Sequence, residues 1–196
     1  MMMNRYGFFE KVPQEHLEDL PYQSFSGKIH LIDSPEKAEK AFIALSKYDL
    51  LGFDTETRPT FKKGRINKTA LIQLATSNEA FLFRLNCIGF PDGLIKILED
   101  ESVIKVGVAI KDDIKCLGKL KRYRPAGFVE LQDFVKQFEI IDNGLKKLTA
   151  NILGFKISKR QQTSNWEAQV LSRPQQEYAA TDAWVCWEIY HHLSSL

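Results

Sequence analysis

Two carboxylates separated by one residue close an apolar run in Leu50-Leu51-Gly52-Phe53-Asp54-Thr55-Glu56-Thr57. In a strand, alternate residues share a face, so Asp54 and Glu56 project to one side and Phe53 and Thr55 to the other. Their Cα atoms then stand roughly 6.6 Å apart. From that spacing both carboxylates can reach divalent cations set about 3.5–4 Å from one another. A strand end carrying two solvated acids reads the same way from these residues alone, so the decision rests on acids elsewhere in the chain.

Two further stretches bear on it. Val106-Gly107-Val108-Ala109-Ile110-Lys111-Asp112-Asp113-Ile114 passes from strand to helix with two aspartates in the first turn. A helix N-terminus favours anions there by a few tenths to about 1 kcal/mol each, so simple capping is an equal reading. Glu177-Tyr178-Ala179-Ala180-Thr181-Asp182-Ala183-Trp184 lies inside the last helix, where Tyr178 and Asp182 share a face that continues through Val185 and Ile189. An aspartate on a buried stripe is expensive unless it is paired or bound to a cation, and no basic residue occupies positions 175, 179 or 186. Oxygen donors from three separated segments, with no His or Cys among them, select hard cations such as Mg²⁺ or Mn²⁺. Two such ions stabilise both the attacking and the leaving oxygen of a phosphodiester displacement. Tyr178 then has a role in orienting the attacking water.

The elements that must position these groups follow from the pattern. Residues 1–26 show no period and read as an irregular N-terminal arm, packed in part by Phe8, Phe9, Tyr22 and Phe25. Lys28-Ile29-His30-Leu31-Ile32 alternates like a short strand, and Ser34-Pro35-Glu36 opens a helix running to about Lys47. The strand that carries Asp54 and Glu56 is followed by a basic loop and a hairpin, Ala70–Thr76 and Ala80–Leu85 around Ser77-Asn78-Glu79. Alternating units come next: a helix near 92–99, a strand near 103–108, a helix from about Asp112 to Leu120 and a strand near 128–131. A helix over Leu145–Leu153 stops at Gly154, and a terminal helix starts near Pro174. A meander followed by αβαβ units predicts an α/β fold with a mixed five-stranded sheet, plus one short extra strand, covered by helices on both faces.

At 196 residues, with 44% hydrophobic and 27% charged residues, the chain suits one globular domain over 27–196. A net charge of +2 neither requires nor excludes a polyanionic partner. Three scattered cysteines, Cys87, Cys116 and Cys186, fit no disulfide framework or metal-ligand spacing. No run is long and apolar enough to span a bilayer, and the first residues lack a secretory apolar core, so a cytoplasmic protein without a membrane partner is expected.

The set Asp54/Glu56, Asp113 and Tyr178/Asp182 resembles the three exonuclease motifs of the DEDD superfamily in its tyrosine-bearing branch, and more narrowly the ribonuclease D and Werner-type 3′–5′ exonuclease domains. The likeness extends through Ala70-Leu71-Ile72-Gln73-Leu74-Ala75, Val106-Gly107-Val108, Gly144-Leu145-Lys146-Lys147-Leu148, Leu153-Gly154, Lys159 and Ser164-Asn165-Trp166. It implies an RNase H-like fold and a metal-dependent 3′–5′ exonuclease acting on DNA or RNA ends, single-stranded or recessed. It also implies roles: Asp54 bridging two divalent cations, Glu56 and Asp182 holding the one that activates water, Asp113 supporting the second, and Tyr178 orienting the nucleophile. Of the two adjacent aspartates, Asp113 aligns with the family's acid, which leaves Asp112 as the expected N-cap.

Four acids repel phosphate until they are neutralised, so a positive rim is expected. The candidates are Arg58, Lys62, Lys63, Arg65 and Lys68, then Lys156, Lys159 and Arg160, and third Lys119, Lys121, Arg122 and Arg124. Phe61 and Trp166 are candidates for base stacking, with core packing the competing role for each. Gln73 reads as an edge hydrogen-bonder. No helical domain of the kind that follows the ribonuclease D core is expected, so targeting would fall to a separate protein. The alternative function is a nucleic-acid-binding module of the same fold without turnover, which retention of all five motif residues disfavours.

Overall fold

β2 (Leu50–Thr57) lies inside a six-stranded sheet whose order is β1-β4-β3-β2-β5-β6. The other strands are β1 (Lys28–Ile32), β3 (Thr69–Ala75), β4 (Glu79–Arg84), β5 (Ile104–Gly107) and β6 (Phe128–Glu130). The computed structural model describes residues 3–60 and 67–196. β2, β3 and β4 form the antiparallel meander; β1 runs parallel to β4, β5 to β2 and β6 to β5. The sheet is therefore the mixed one expected, with β1 as the short additional strand.

The α-helices among the described residues are α1 (Gln14–Asp19), α2 (Pro35–Leu45), α3 (Leu85–Ile88), α4 (Asp92–Glu99), α5 (Ile110–Leu120), α6 (Leu131–Phe134), α7 (Leu145–Leu153) and α8 (Arg173–Ser194), with a 3-10 turn over Val135–Phe138. α3 and α6 are single turns with no periodicity to announce them. Every residue of β3 is buried, because helices lie against both faces of the central strands. On one face Leu51, Phe53, Ile72, Leu74, Phe81 and Phe83 meet α2, α4 and α5. On the other, Leu71, Ala75, Ala80 and Leu82 meet Ala179, Ala180 and Ala183 of α8.

Small residues bring α8 very close to the sheet. A Cβ at Gly52 would overlap the carbonyl oxygen of Ala183 and stand 3.0 Å from the Trp187 nitrogen. The start of α8 is fixed by a reciprocal capping box between Ser172 and Gln175, with Pro174 in the first turn. α2 begins as expected, with the Ser34 hydroxyl accepting from the Lys37 nitrogen, and α7 ends at Gly154 in the left-handed region (φ 72°).

Two expectations for local structure are corrected. Asp112 does not cap α5. It lies exposed in the first turn. The cap is Ala109, at φ 59°, and the Glu130 carboxylate accepts from the Ala109 and Ile110 nitrogens at 2.8 and 2.9 Å. The arm is also less irregular than expected. It contains α1 and buries Phe8, Phe9 and Phe25, but Tyr22 is 66% exposed.

Candidate active site

Strand alternation and the close seating of α8 converge on one point. Asp54 and Glu56 share the face of β2 that carries Gly52, the face against which α8 packs, and Asp182 directly precedes Ala183 on that helix. One carboxylate oxygen from each of Asp54, Glu56 and Asp182 lies within 4.8 Å of the other two. Glu56 and Asp182 are only 9% and 7% exposed.

Asp113 comes from the other side of β2. Thr55, which alternation points away from Asp54 and Glu56, donates its hydroxyl to the Asp113 carboxylate. Asp113 is outside the close group of three, yet its charge acts on both Asp54 and Glu56. Sequence reasoning passed over Thr55; its signal was its position between the two acids, on the face turned to α5. Glu130 was missed as well. It orients Asp113 indirectly, by capping the helix that carries it.

Burial raises every member of the set, and neighbouring like charge adds to it at Asp54, Glu56 and Asp113. Burial, then the charges of Asp182 and Asp113, hold the Asp54 carboxyl well above the ordinary carboxylate range. Burial, then Asp54, Asp182 and Asp113, push Glu56 up to about 10. Burial lifts Asp182 to about 7 against the hydrogen bond from Tyr178 and the Lys159 charge, both of which lower it. Asp113 is raised by burial, with the Thr55 hydroxyl opposing. Ion pairs among the described residues lie elsewhere, as at Arg58–Glu167 and Lys147–Asp142. Among the described residues no ion pair neutralises this cluster, although the Lys159 charge acts on Asp182. Largely buried and oxygen-only, it fits hard divalent cations.

Tyr178 stands one helical turn before Asp182, half-buried, its ring 6.0 Å from that of Trp166. Burial and the neighbouring Asp182 and Glu56 charges push its phenol far above the usual value. By the protein's charges alone Tyr178 is a hydrogen-bond donor at neutral pH.

A family model described as 3′–5′ exonuclease matches residues 29–196. The chain belongs to the 3′–5′ exonuclease family. It is 34% identical over 198 residues to the mouse bifunctional 3′–5′ exonuclease/ATP-dependent helicase WRN, covering 94% of this chain and 14% of that protein. Its fold is similar to the Nibbler EXO domain of Aedes aegypti, with TM-score 0.78 and 26% identity over 88% of this chain and 91% of that one. The fold is likewise similar to Trypanosoma brucei RNase D in complex with RNA U12, with TM-score 0.76 and 20% identity over 88% of this chain and 64% of that one. The RNase H-like architecture of this exonuclease family is thus the one that frames the acids. The chain spans only a small part of the length of the mouse relative.

The expected nucleic-acid contacts of this family member divide. Lys159 lines two clefts that also carry Tyr178. Arg58 is exposed but paired with Glu167 at 3.3 Å. Phe61, Lys62, Lys63 and Arg65 lie outside the described residues. Of the third basic group, Lys121 is paired with Asp92 of α4. Trp166 is corrected: it is 0% exposed, packed with Leu71, Leu171 and Ala179, so its faces are not available to a base. Gln73 is corrected too. It sits fully buried mid-strand in β3, between β2 and β4, directly across from Asp54, and neither side-chain amide atom has a hydrogen-bond partner among the described residues.

Proposed function

We propose that the chain removes nucleotides one at a time from the 3′ end of a polynucleotide by metal-dependent hydrolysis of the terminal phosphodiester. The observation that carries this reading is the largely buried trio Asp54, Glu56 and Asp182, with oxygens within 4.8 Å of one another and no ion pair among the described residues. Family membership supports it. Asp54, Glu56 and Asp182, with Asp113 in support, would hold two cations, Mg²⁺ or Mn²⁺, which would supply Lewis acidity at the attacking and leaving oxygens.

The chain's own residues do the rest. Asp54 lies within reach of the charges of both Asp182 and Asp113. Tyr178 keeps its proton, bonds Asp182 and presents its hydroxyl to the attacking water, holding it in line. Lys159 is near enough to lower Asp182 and to draw a phosphate toward the cluster. A neighbour of the same fold, trypanosome RNase D, is described in complex with RNA, which supports a nucleic acid as the substrate class.

The test uses matched 5′-labelled DNA and RNA oligonucleotides with Mn²⁺ or Mg²⁺, comparing wild type with Asp54→Ala and Asp182→Ala. The expected result is a ladder shortening from the 3′ end with wild type and none with either variant, both folded. A stable shifted complex without shortening would assign the chain to a silent binding module instead. Wild-type rates in the variants would remove the cluster from the chemistry.

A further inference from the structure

Two clefts of about 690 and 600 Å³ open beside Tyr178, each within the range of about 300–1,000 Å³ that holds small organic groups. They share Tyr22, Lys146, Ile157, Ser158, Lys159 and Tyr178, and the second reaches Asp182. Tyr22 is the odd member. It belongs to the N-terminal arm, ahead of the segment that the family model matches from residue 29.

The arm is built into this wall. The Gln23 nitrogen donates to the Lys156 carbonyl at 2.9 Å and the Lys156 nitrogen to the Pro21 carbonyl at 2.7 Å, a short parallel bridge with Tyr22 between them. The Phe25 nitrogen donates to the hydroxyl of Thr181, the neighbour of Asp182, at 2.9 Å. The Phe25 ring is buried and lies 5.9 Å from Trp184. Backbone pairing on both sides thus fixes Tyr22, while its side chain stays 66% exposed. The Lys156 ammonium lies 4.9 Å from the ring centroid, over one face. Lys146 and Lys159, on the same walls, form no ion pair or side-chain hydrogen bond among the described residues, whereas Lys147 beside them is paired with Asp142 at 2.9 Å. A fixed, exposed aromatic with a cation behind it, flanked by two cations that form no ion pair among the described residues, has the chemistry of a base-and-phosphate subsite.

We propose that Tyr22 is a stacking platform for an unpaired base of the substrate strand, with Lys146 and Lys159 taking its phosphates, so that the arm gives the site its preference for single-stranded ends. The proposal rests on the exonuclease reading for the direction of the strand. A base stacked on Tyr22 has left its duplex neighbours, so a blunt duplex gains nothing from this residue.

Binding separates the two readings. A 5′-fluorescein oligothymidylate twelve-mer is titrated by anisotropy against Asp54→Ala, and against the same variant carrying Tyr22→Ala or Tyr22→Phe. Removing the ring is expected to weaken binding about 5- to 100-fold, in line with single-base stacking, while Tyr22→Phe stays within about twofold because the ring remains. In the active protein, Tyr22→Ala is expected to raise KM on the same oligonucleotide with kcat held, the signature of lost uniform binding. Lys146→Gln supplies an independent arm: weaker binding and a salt dependence shallower by about one phosphate contact. Equal affinity with and without the Tyr22 ring overturns the proposal, as does a loss equally large in Tyr22→Phe. If wild type leaves the oligonucleotide uncut while binding still depends on the Tyr22 ring, the exonuclease reading fails and the subsite stands.

Discussion

The backbone of Ala183 occupies the space that a side chain on Gly52 would need. This close approach helps seat α8 on β2, and the acids lie just beyond it: Asp54 two residues along the strand and Asp182 one residue back on the helix. The spacing of the clustered carboxylates therefore depends in part on a glycine that carries no functional group.

Gly52→Ala is expected to lift α8 from the strand. Overpacking of this kind typically costs about 1–3 kcal/mol, which lowers the melting temperature by about 2–4 °C per kcal/mol in a chain of this size. Cleavage should fall far more than stability does, because Asp182 moves with the helix. Calorimetry and the 3′ ladder assay on the same preparation check both halves. Retained activity with a lowered melting temperature would mean that the acids tolerate the shift.

Stability should depend on pH and on divalent cations in a linked way. Glu56 is raised from its ordinary 4.5 to about 10 in the fold. Between those values the native state holds a proton that the unfolded chain has released, so stability falls as pH rises through that interval. In chelator, the melting temperature is expected to decline from pH 5 to pH 9, and Glu56→Gln should flatten that decline. Mg²⁺ or Mn²⁺ should raise the melting temperature more at pH 9 than at pH 5, since protons compete for the same oxygens. Differential scanning calorimetry across pH, with and without the cation, reads this directly. An unchanged slope in Glu56→Gln would remove Glu56 as its source.

The clarity of these groups in the sequence varies with how local their cause is. Asp54 and Glu56 were legible because strand alternation fixes their common face, and Asp182 because helical spacing put it on an apolar stripe beside Ala179 and Ala180. The cap of α5 was not, since its acceptor, Glu130, arrives from β6, twenty residues away. Gln73 was misread as an edge residue because an apolar strand does not disclose its neighbours; the order of the sheet places β2 and β4 on its two sides. Trp166, within Ser164-Asn165-Trp166-Glu167, has no period to show that it is buried. Tyr22 was assigned to packing by composition alone, although the backbone bridge to Lys156 turns it outward.

Thr55 offers a test of how Asp113 is held. Its hydroxyl is a hydrogen-bond donor to that carboxylate, and it lowers Asp113 against the upward push of burial. Thr55→Val keeps the shape and removes the donor. Loss of a partner that orients a metal-binding carboxylate typically costs about 10- to 100-fold in metal affinity or activity. The expected outcome is a fall in rate of about that size with a higher cation concentration needed for half-maximal cleavage. An unaltered cation dependence would show that Asp113 is held well enough by α5 alone.

Tyr178 separates orientation from binding. Its ring lines both clefts beside the acids, and its hydroxyl, together with the Lys159 charge, lowers Asp182. Tyr178→Phe keeps the ring and takes away only the hydroxyl. Oligonucleotide affinity and cation binding should therefore stay near those of wild type, while the rate falls on the order of 100-fold, the low end for a lost proton-handling group. Asp182 should also be harder to ionise without the hydroxyl, so the low-pH limb of the rate profile moves to higher pH. Single-turnover rates over pH, beside anisotropy titrations, measure both effects. A large loss of affinity at an unchanged rate would place the hydroxyl on the substrate strand rather than on the attacking water.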